Sequence, residues 1–216
     1  MVQKSGKTPV TGKKEARPRG RPRQYDPDRA LAKAAETFWK HGYAGTSLDD
    51  LVAATGMNRP SLYAAFGDKR DLYLKTLERY QKRSRDVSFE LLSDNPTLRV
   101  FLERFYEGAL DVYRAGGDQA RGCFSISTAP AQAITDSAVR DFLAASIGDT
   151  DIFLARQIAK AQKRGEVPSR VDPEALAQIA TATLHTIAVR ARVGVPREHL
   201  TALAATAIDA DSASAS

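Results

Sequence analysis

Hydrophobic and polar positions alternate with helical periods along nearly the whole chain, and the breaks between periods fall at proline, glycine and capping residues. Leu31, Ala34, Ala35, Phe38 and Trp39 form one apolar stripe. Asp26 precedes it as an N-cap, Pro27 suits a first helical position, and Gly42 ends it. A second helix starts at Ser47, which with Asp50 three residues on makes a capping box, and buries Leu48, Leu51 and Val52. Gly56 makes a tight turn. Asn58 caps a third helix with Pro60 in its first turn and Leu62 and Phe66 on its core side. Asp68 with Asp71 caps a fourth, carrying Leu72, Leu74, Leu77 and Tyr80. Two short helices joined by a tight glycine turn, with a polar face of Arg59, Ser61 and Tyr63 on the second, form a helix-turn-helix suited to the DNA major groove.

The rest of the chain also reads as helices. Asn95-Pro96-Thr97 separates the fourth helix from a fifth bearing Val100, Phe101, Phe105, Leu110, Val112 and Tyr113. A flexible loop is expected at Ala115-Gly116-Gly117-Asp118. A short apolar segment follows and ends before Pro130. A long helix is expected from about Asp136 to Arg164, another from Asp172-Pro173-Glu174 to about Val193, and a last one from Arg197 to about Ile208. The fold class is therefore all-α. The expected organisation is a basic arm over 1–25, a DNA-binding domain over 26–70, a helical ligand-binding and dimerisation domain over 71–209, and a frayed tail over 210–216.

The N-terminal residues resemble the TetR family of bacterial transcriptional regulators. They match its signature as Ala35-x-x-Phe38-x-x-x-Gly42-Tyr43-x-x-Thr46-Ser47-x-x-x-Leu51-Val52-x-x-x-Gly56-Met57-x-x-Pro60-Ser61-Leu62-Tyr63-x-x-Phe66-x-Asp68-Lys69-x-x-Leu72, without gaps over about 50 residues. Val52 departs from the alanine frequent at that helix contact, which predicts a slightly wider crossing. The resemblance implies a homodimer on a palindromic DNA operator, a small-molecule effector bound in the C-terminal half, and release of a repressor by that effector. It also implies phosphate contacts from Tyr63 and Lys69. Aromatic residues of the fifth to seventh helices, Phe101, Phe105, Tyr106, Phe124 and Phe142, would then surround the effector, although periodicity alone does not separate pocket lining from ordinary core. The alanine- and threonine-rich last two helices would pair with a second copy; burial within one subunit gives the same pattern.

Charge sharpens the picture. The chain of 216 residues carries a net +6, and residues 1–25 hold eight basic side chains against Glu15 alone, so the arm carries +7 and the remainder −1. Pro18-Arg19-Gly20-Arg21-Pro22 has the form of an AT-hook core: glycine lets the backbone approach the minor-groove floor while Arg19 and Arg21 enter a narrow A·T groove. A merely solvated basic tail is the plainer alternative. On the third helix Arg59 is placed for guanine, with a phosphate contact as its alternative. Thr46 and Ser47 offer hydroxyl and backbone N–H groups to a phosphate, and Asn58 stands at the start of the third helix beside Arg59.

Composition excludes other classes. An apolar content of 43% supports a buried core, no apolar run reaches the ~18–20 residues of a membrane span, and the basic start lacks the apolar centre of a secretory signal. One cysteine suits a reducing cytoplasm. Cys123, two residues after Arg121, is either a buried inert thiol or a redox sensor. His41, His185 and His199 have no metal-ligand spacing, and no catalytic or cofactor motif is present, so neither an enzyme, a metal nor a cofactor is expected. The competing function is an architectural protein coating A·T-rich DNA through the arm alone.

Overall fold

The computed structural model describes residues 26–115 and 121–213. Among these are nine helices and no strand: α1 (Pro27–His41), α2 (Leu48–Thr55), α3 (Arg59–Phe66), α4 (Lys69–Glu90), α5 (Leu98–Arg114), α6 (Phe124–Ala133), α7 (Ser137–Lys163), α8 (Pro173–Arg192) and α9 (Arg197–Ala213). The chain is all-α, with a helix-turn-helix at its N-terminal end and a helical C-terminal half. The arm, with Arg19 and Arg21, and the loop over 116–120 lie outside the described residues.

Local chemistry explains most helix starts. Asp26 Oδ1 accepts from Asp28 N and, more distantly, Arg29 N, and full capping boxes are formed by Ser47 with Asp50 and by Asp68 with Asp71. Gly56 adopts the left-handed conformation (φ 70°, ψ 13°) that the turn between α2 and α3 requires. Two elements differ from the sequence expectation. Pro130 lies inside α6 instead of ending it. A proline within a helix sacrifices a backbone bond, and here Phe124 and Ala129, both wholly buried, anchor the short helix regardless. Helix α9 runs to Ala213, beyond Ile208, because its alanine-rich end contains no breaker.

Two cores result. One joins Ala34, Phe38, Leu51, Leu62, Leu72 and Leu77 of the first four helices to Phe124, Ala129 and Val139 of α6 and α7. The other is built from α5, the later turns of α7, α8 and α9. The N-terminal core thus continues into the C-terminal half. Polar links reinforce the junction. Arg70 donates from Nε and Nη2 to both carboxylate oxygens of Asp136 (2.5 and 3.0 Å), which also caps α7. Tyr73 Oη and Thr128 Oγ1 lie 2.7 Å apart in the interior. Trp39 Nε1 donates to the Arg121 carbonyl at 2.9 Å.

Candidate DNA interface

The core side of α3 is fixed by Leu62 and Phe66, both buried, and by Met57 in the turn before it. The opposite side presents Asn58, Arg59, Pro60, Tyr63 and Ala64, all exposed, with Ser61 half-buried at the edge. Asn58 Oδ1 is spent on capping, accepting from Ser61 N at 2.9 Å, which leaves its amide N–H groups facing outward. Tyr63, 42% exposed, carries its ring on this surface and not in the core. Ala64 escapes sequence reasoning, where its position one residue after Tyr63 is the available signal; a small side chain there lets a helix lie close to base edges.

Arg59 does not wait unpaired. Its Nη2 donates to Asp49 Oδ1 across the two motif helices at 2.7 Å, and this hydrogen bond, with the charge of Asp49, raises the guanidinium above its ordinary value. Both partners are more than half exposed, so the pair is readily exchanged for another acceptor.

The start of α2 is more committed. Ser47 Oγ donates to Asp50 Oδ2 at 2.6 Å and accepts from Asp50 N at 3.1 Å. The Ser47 hydroxyl, with the Ser47 N–H donating to the same carboxylate oxygen at 2.8 Å, holds the Asp50 carboxyl below its usual range. Ser47 remains exposed. Thr46 is placed differently from expectation: it is buried, its hydroxyl donates to Gly42 O at 2.7 Å and its N–H donates to Tyr43 O at 3.3 Å. Its groups hold the α1–α2 corner instead of facing a phosphate. Lys69 sets its ammonium over the Tyr43 ring, 4.4 Å from the centroid; burial lowers its pKa, with Asp50 opposing. Lys75, silent in the sequence, donates to Phe66 O at the end of α3 (2.9 Å) and braces that helix.

The five aromatic residues expected around an effector fall into two groups. Phe101, Phe105 and Tyr106 belong to the C-terminal core, whereas Phe124 and Phe142 pack on the N-terminal one. Phe101 lines a cavity of about 70 Å³ with Leu92, Pro96 and Gln157. A second, of about 290 Å³, is lined by Leu98, Leu102, Val167, Leu176 and Ile208 among others and by none of the five. Cys123 is the N-cap of α6, and burial pushes its thiol above the usual value despite hydrogen bonds from Tyr80, Tyr113 and the helix start. Among the described residues no three His, Cys, Asp or Glu groups gather to hold a metal, and no helix is long and apolar enough to cross a membrane.

A helix-turn-helix with an uncovered second helix, packed onto a larger helical half, defines a DNA-binding regulator of transcription. The comparisons place it further. The family described as "Bacterial regulatory proteins, tetR family" matches residues 30–76, and "Tetracyclin repressor-like, C-terminal domain" matches residues 99–208. The transcriptional repressor ComR of Escherichia coli K12 is 31% identical over 88% of this chain and 90% of its own. The repressor BdcR of the same strain is 32% identical over 69% of this chain and 77% of its own. The regulator CifR, as a cysteine mutant complexed with a 26-base-pair operator, superposes with a TM-score of 0.78 at 31% identity, over 88% of this chain and 99% of that one. The chain belongs to the TetR family of transcriptional regulators, DNA-binding proteins and not enzymes.

Proposed function

We propose that the chain is a homodimeric repressor that binds a palindromic operator and leaves it when a small-molecule effector enters the C-terminal half. The observation that carries this reading is the free face of α3, with Asn58, Arg59 and Tyr63 exposed on a helix whose other side is locked in the core. Arg59 exchanges Asp49 for a guanine edge, with Ser61 beside it, while Ser47, Tyr63 and Lys69 meet phosphates. Thr46, being buried, is left out of this set. Arg19 and Arg21 enter the flanking minor groove. The CifR–operator complex and the repressors ComR and BdcR support the assignment by likeness.

Dimerisation is supported by α8 and its C-cap, where Ala175, Ile179, Ala182, Thr186, Val189 and the capping Val193 are all exposed and recur every three or four residues. A stripe that straight is uncovered by the other described residues, and α9, packed on α8, exposes Ala202 and Ala205 as well. A two-fold dimer matches a two-fold DNA site. The effector reading is supported by Asp151 Oδ1 and Thr181 Oγ1, buried on the packed helices α7 and α8 without a hydrogen-bond partner among the described residues, with His185 close enough to feel the charge of Asp151.

The test is selection of bound duplexes from random sequence, followed by Arg59→Ala. A single short palindrome, with about tenfold or greater loss and relaxed preference at one base per half-site, is expected. Indiscriminate coating of A·T-rich DNA would instead favour an architectural protein, and uniform weakening on all sequences would make Arg59 a phosphate contact.

A further inference from the structure

We propose that Arg192 sets the separation of the two DNA-reading helices, a positioning role that rests on the homodimer reading above. Arg192 ends α8, and the residues on either side of it in the exposed stripe are Val189 and Val193. Its guanidinium leaves that helix and donates from Nη1 to the carbonyls of Trp39 (3.0 Å) and Arg121 (3.1 Å). The first acceptor lies in the last turn of α1, where carbonyls have no partner within the helix and the helix dipole favours a cation. A side chain rooted beside the proposed dimer seam therefore caps the helix on which the helix-turn-helix is built.

The joint is stiff for identifiable reasons. The Arg121 carbonyl also accepts from Trp39 Nε1 (2.9 Å), so α1 and α8 are tied to one atom as well as to each other. The N–H groups of Arg121 and Gly122 both donate to Tyr113 O, which brings in the end of α5. Gly122 has φ 64°, and a Cβ there would fall 2.6 Å from Ala188 O and 3.1 Å from Arg192 Cβ. Only glycine lets this loop lie against the backbone of α8. The indole of Trp39 is further held by Tyr80 and Phe124, at 5.3 and 5.5 Å between ring centroids. Rotation of α1 against α8 must break these bonds together. Because α2 and α3 share the core of α1, such a rotation swings the recognition helix relative to its two-fold mate, and a palindrome reads that change as a wrong spacing of about 34–36 Å sites.

The experiment uses the full chain, an operator selected by it, the same operator with its half-sites moved by one or two base pairs either way, and a duplex with one half-site. Wild type should sediment as a dimer with a sharp spacing optimum. Arg192→Ala should remain a dimer, lose about tenfold on the optimal spacing, keep its affinity for the single half-site within about twofold, and show a flattened or displaced spacing profile. Arg192→Lys should recover part of the optimum, and Trp39→Phe, which removes the indole N–H from the same carbonyl, should change the profile in the same direction, so the result stands even if the alanine variant folds poorly. An unchanged profile in a dimeric Arg192→Ala protein, or in Trp39→Phe where the alanine variant does not fold, overturns the proposal, as does an equal fall on full and half sites. A monomeric wild type without a spacing optimum would instead remove the dimer reading beneath it.

Discussion

The bond between Tyr73 and Thr128 joins the two halves of the molecule in its driest part, and its direction can be deduced. Thr128 Oγ1 donates to Phe124 O at 2.8 Å; a hydroxyl has one hydrogen, so Tyr73 must donate to Thr128. Tyr73 is wholly buried among Phe38, Tyr43 and Phe124, whose rings lie 5.0, 5.0 and 6.1 Å away, so it cannot turn to water. The two partners are therefore not equivalent. Tyr73→Phe removes a donor and leaves Thr128 still bonded to Phe124, at a cost of about 1 kcal/mol. Thr128→Val keeps the volume but strands a buried O–H, at about 1–3 kcal/mol. The double variant removes the stranded group and should be less destabilised than the sum of the singles by about 1–2 kcal/mol. Urea unfolding followed by circular dichroism measures all four proteins. Additive costs, or a Thr128→Val loss no larger than that of Tyr73→Phe, would refute the assigned direction. Alkaline pH offers a second check. Burial pushes the Tyr73 phenol up to about 12. The unfolded chain gives up this proton near 10, so the folded state holds more protons between those values, and stability falls as pH rises through that window by up to about 1.4 kcal/mol per unit. Tyr73→Phe should show a shallower decline.

His185 provides the acid counterpart: burial lowers its pKa against the pull of Asp151, so the unfolded chain takes up a proton first and stability falls as pH drops below about 6.5. His185→Gln should lose less melting temperature than wild type between pH 7 and 5, and an identical loss would remove His185 as the cause. Deleting residues 1–23 should leave helicity and dimer mass unchanged, weaken operator binding, and flatten the log–log salt dependence by about 0.9 for each phosphate the arm no longer neutralises. A greater fall in affinity on A·T-flanked than on G·C-flanked operators is expected; an equal fall would leave the arm a diffuse charge only.

What is legible in the sequence is what is decided locally. Ser47 with Asp50, Asn58 before Pro60, and Asp68 with Asp71 bond within three residues, and those caps place α2, α3 and α4 without any tertiary contact. The polar side of α3 is visible because Leu62 and Phe66 leave only one other face. What requires the structure depends on partners far along the chain. A hydroxyl at Thr46 reads alike whether it turns to solvent or to Gly42. Aromatic residues at helical spacing do not say which core they enter, and so Phe124 and Phe142 group with Phe101 in the sequence although they pack beneath the helix-turn-helix. Arg192 and Trp39 are 153 residues apart, and an arginine at a helix end ordinarily faces water. Pro130 reads as a stop because its local cost is real, but burial of the flanking α6 residues outweighs it.

These long-range contacts alter how motion can pass through the molecule. The sequence points to α4 as the connection between the halves, since it is continuous from Asp68 onward. The packing adds α6. Phe124 contributes its ring to the N-terminal core against Trp39, Tyr73 and Tyr80. Thr128 holds α4, the residues leading into α6 hold α1 and α8, and Asp136 just beyond it holds Arg70 at the start of α4. Within this seat Cys123 accepts the Tyr80 hydroxyl at 3.5 Å, and its burial disfavours the thiolate that oxidation would require. Helix α6 is short, contains a proline, and is joined to the long α7 by three residues, of which Asp136 is tied to α4 through Arg70. Through Phe124 and Thr128, α6 contacts α1 and α4 at once. On the proposed effector reading, a shift of α7 or α8 passed on through α6 displaces the helix-turn-helix as a body with its core intact, the kind of displacement that alters the spacing of two reading heads without unfolding either.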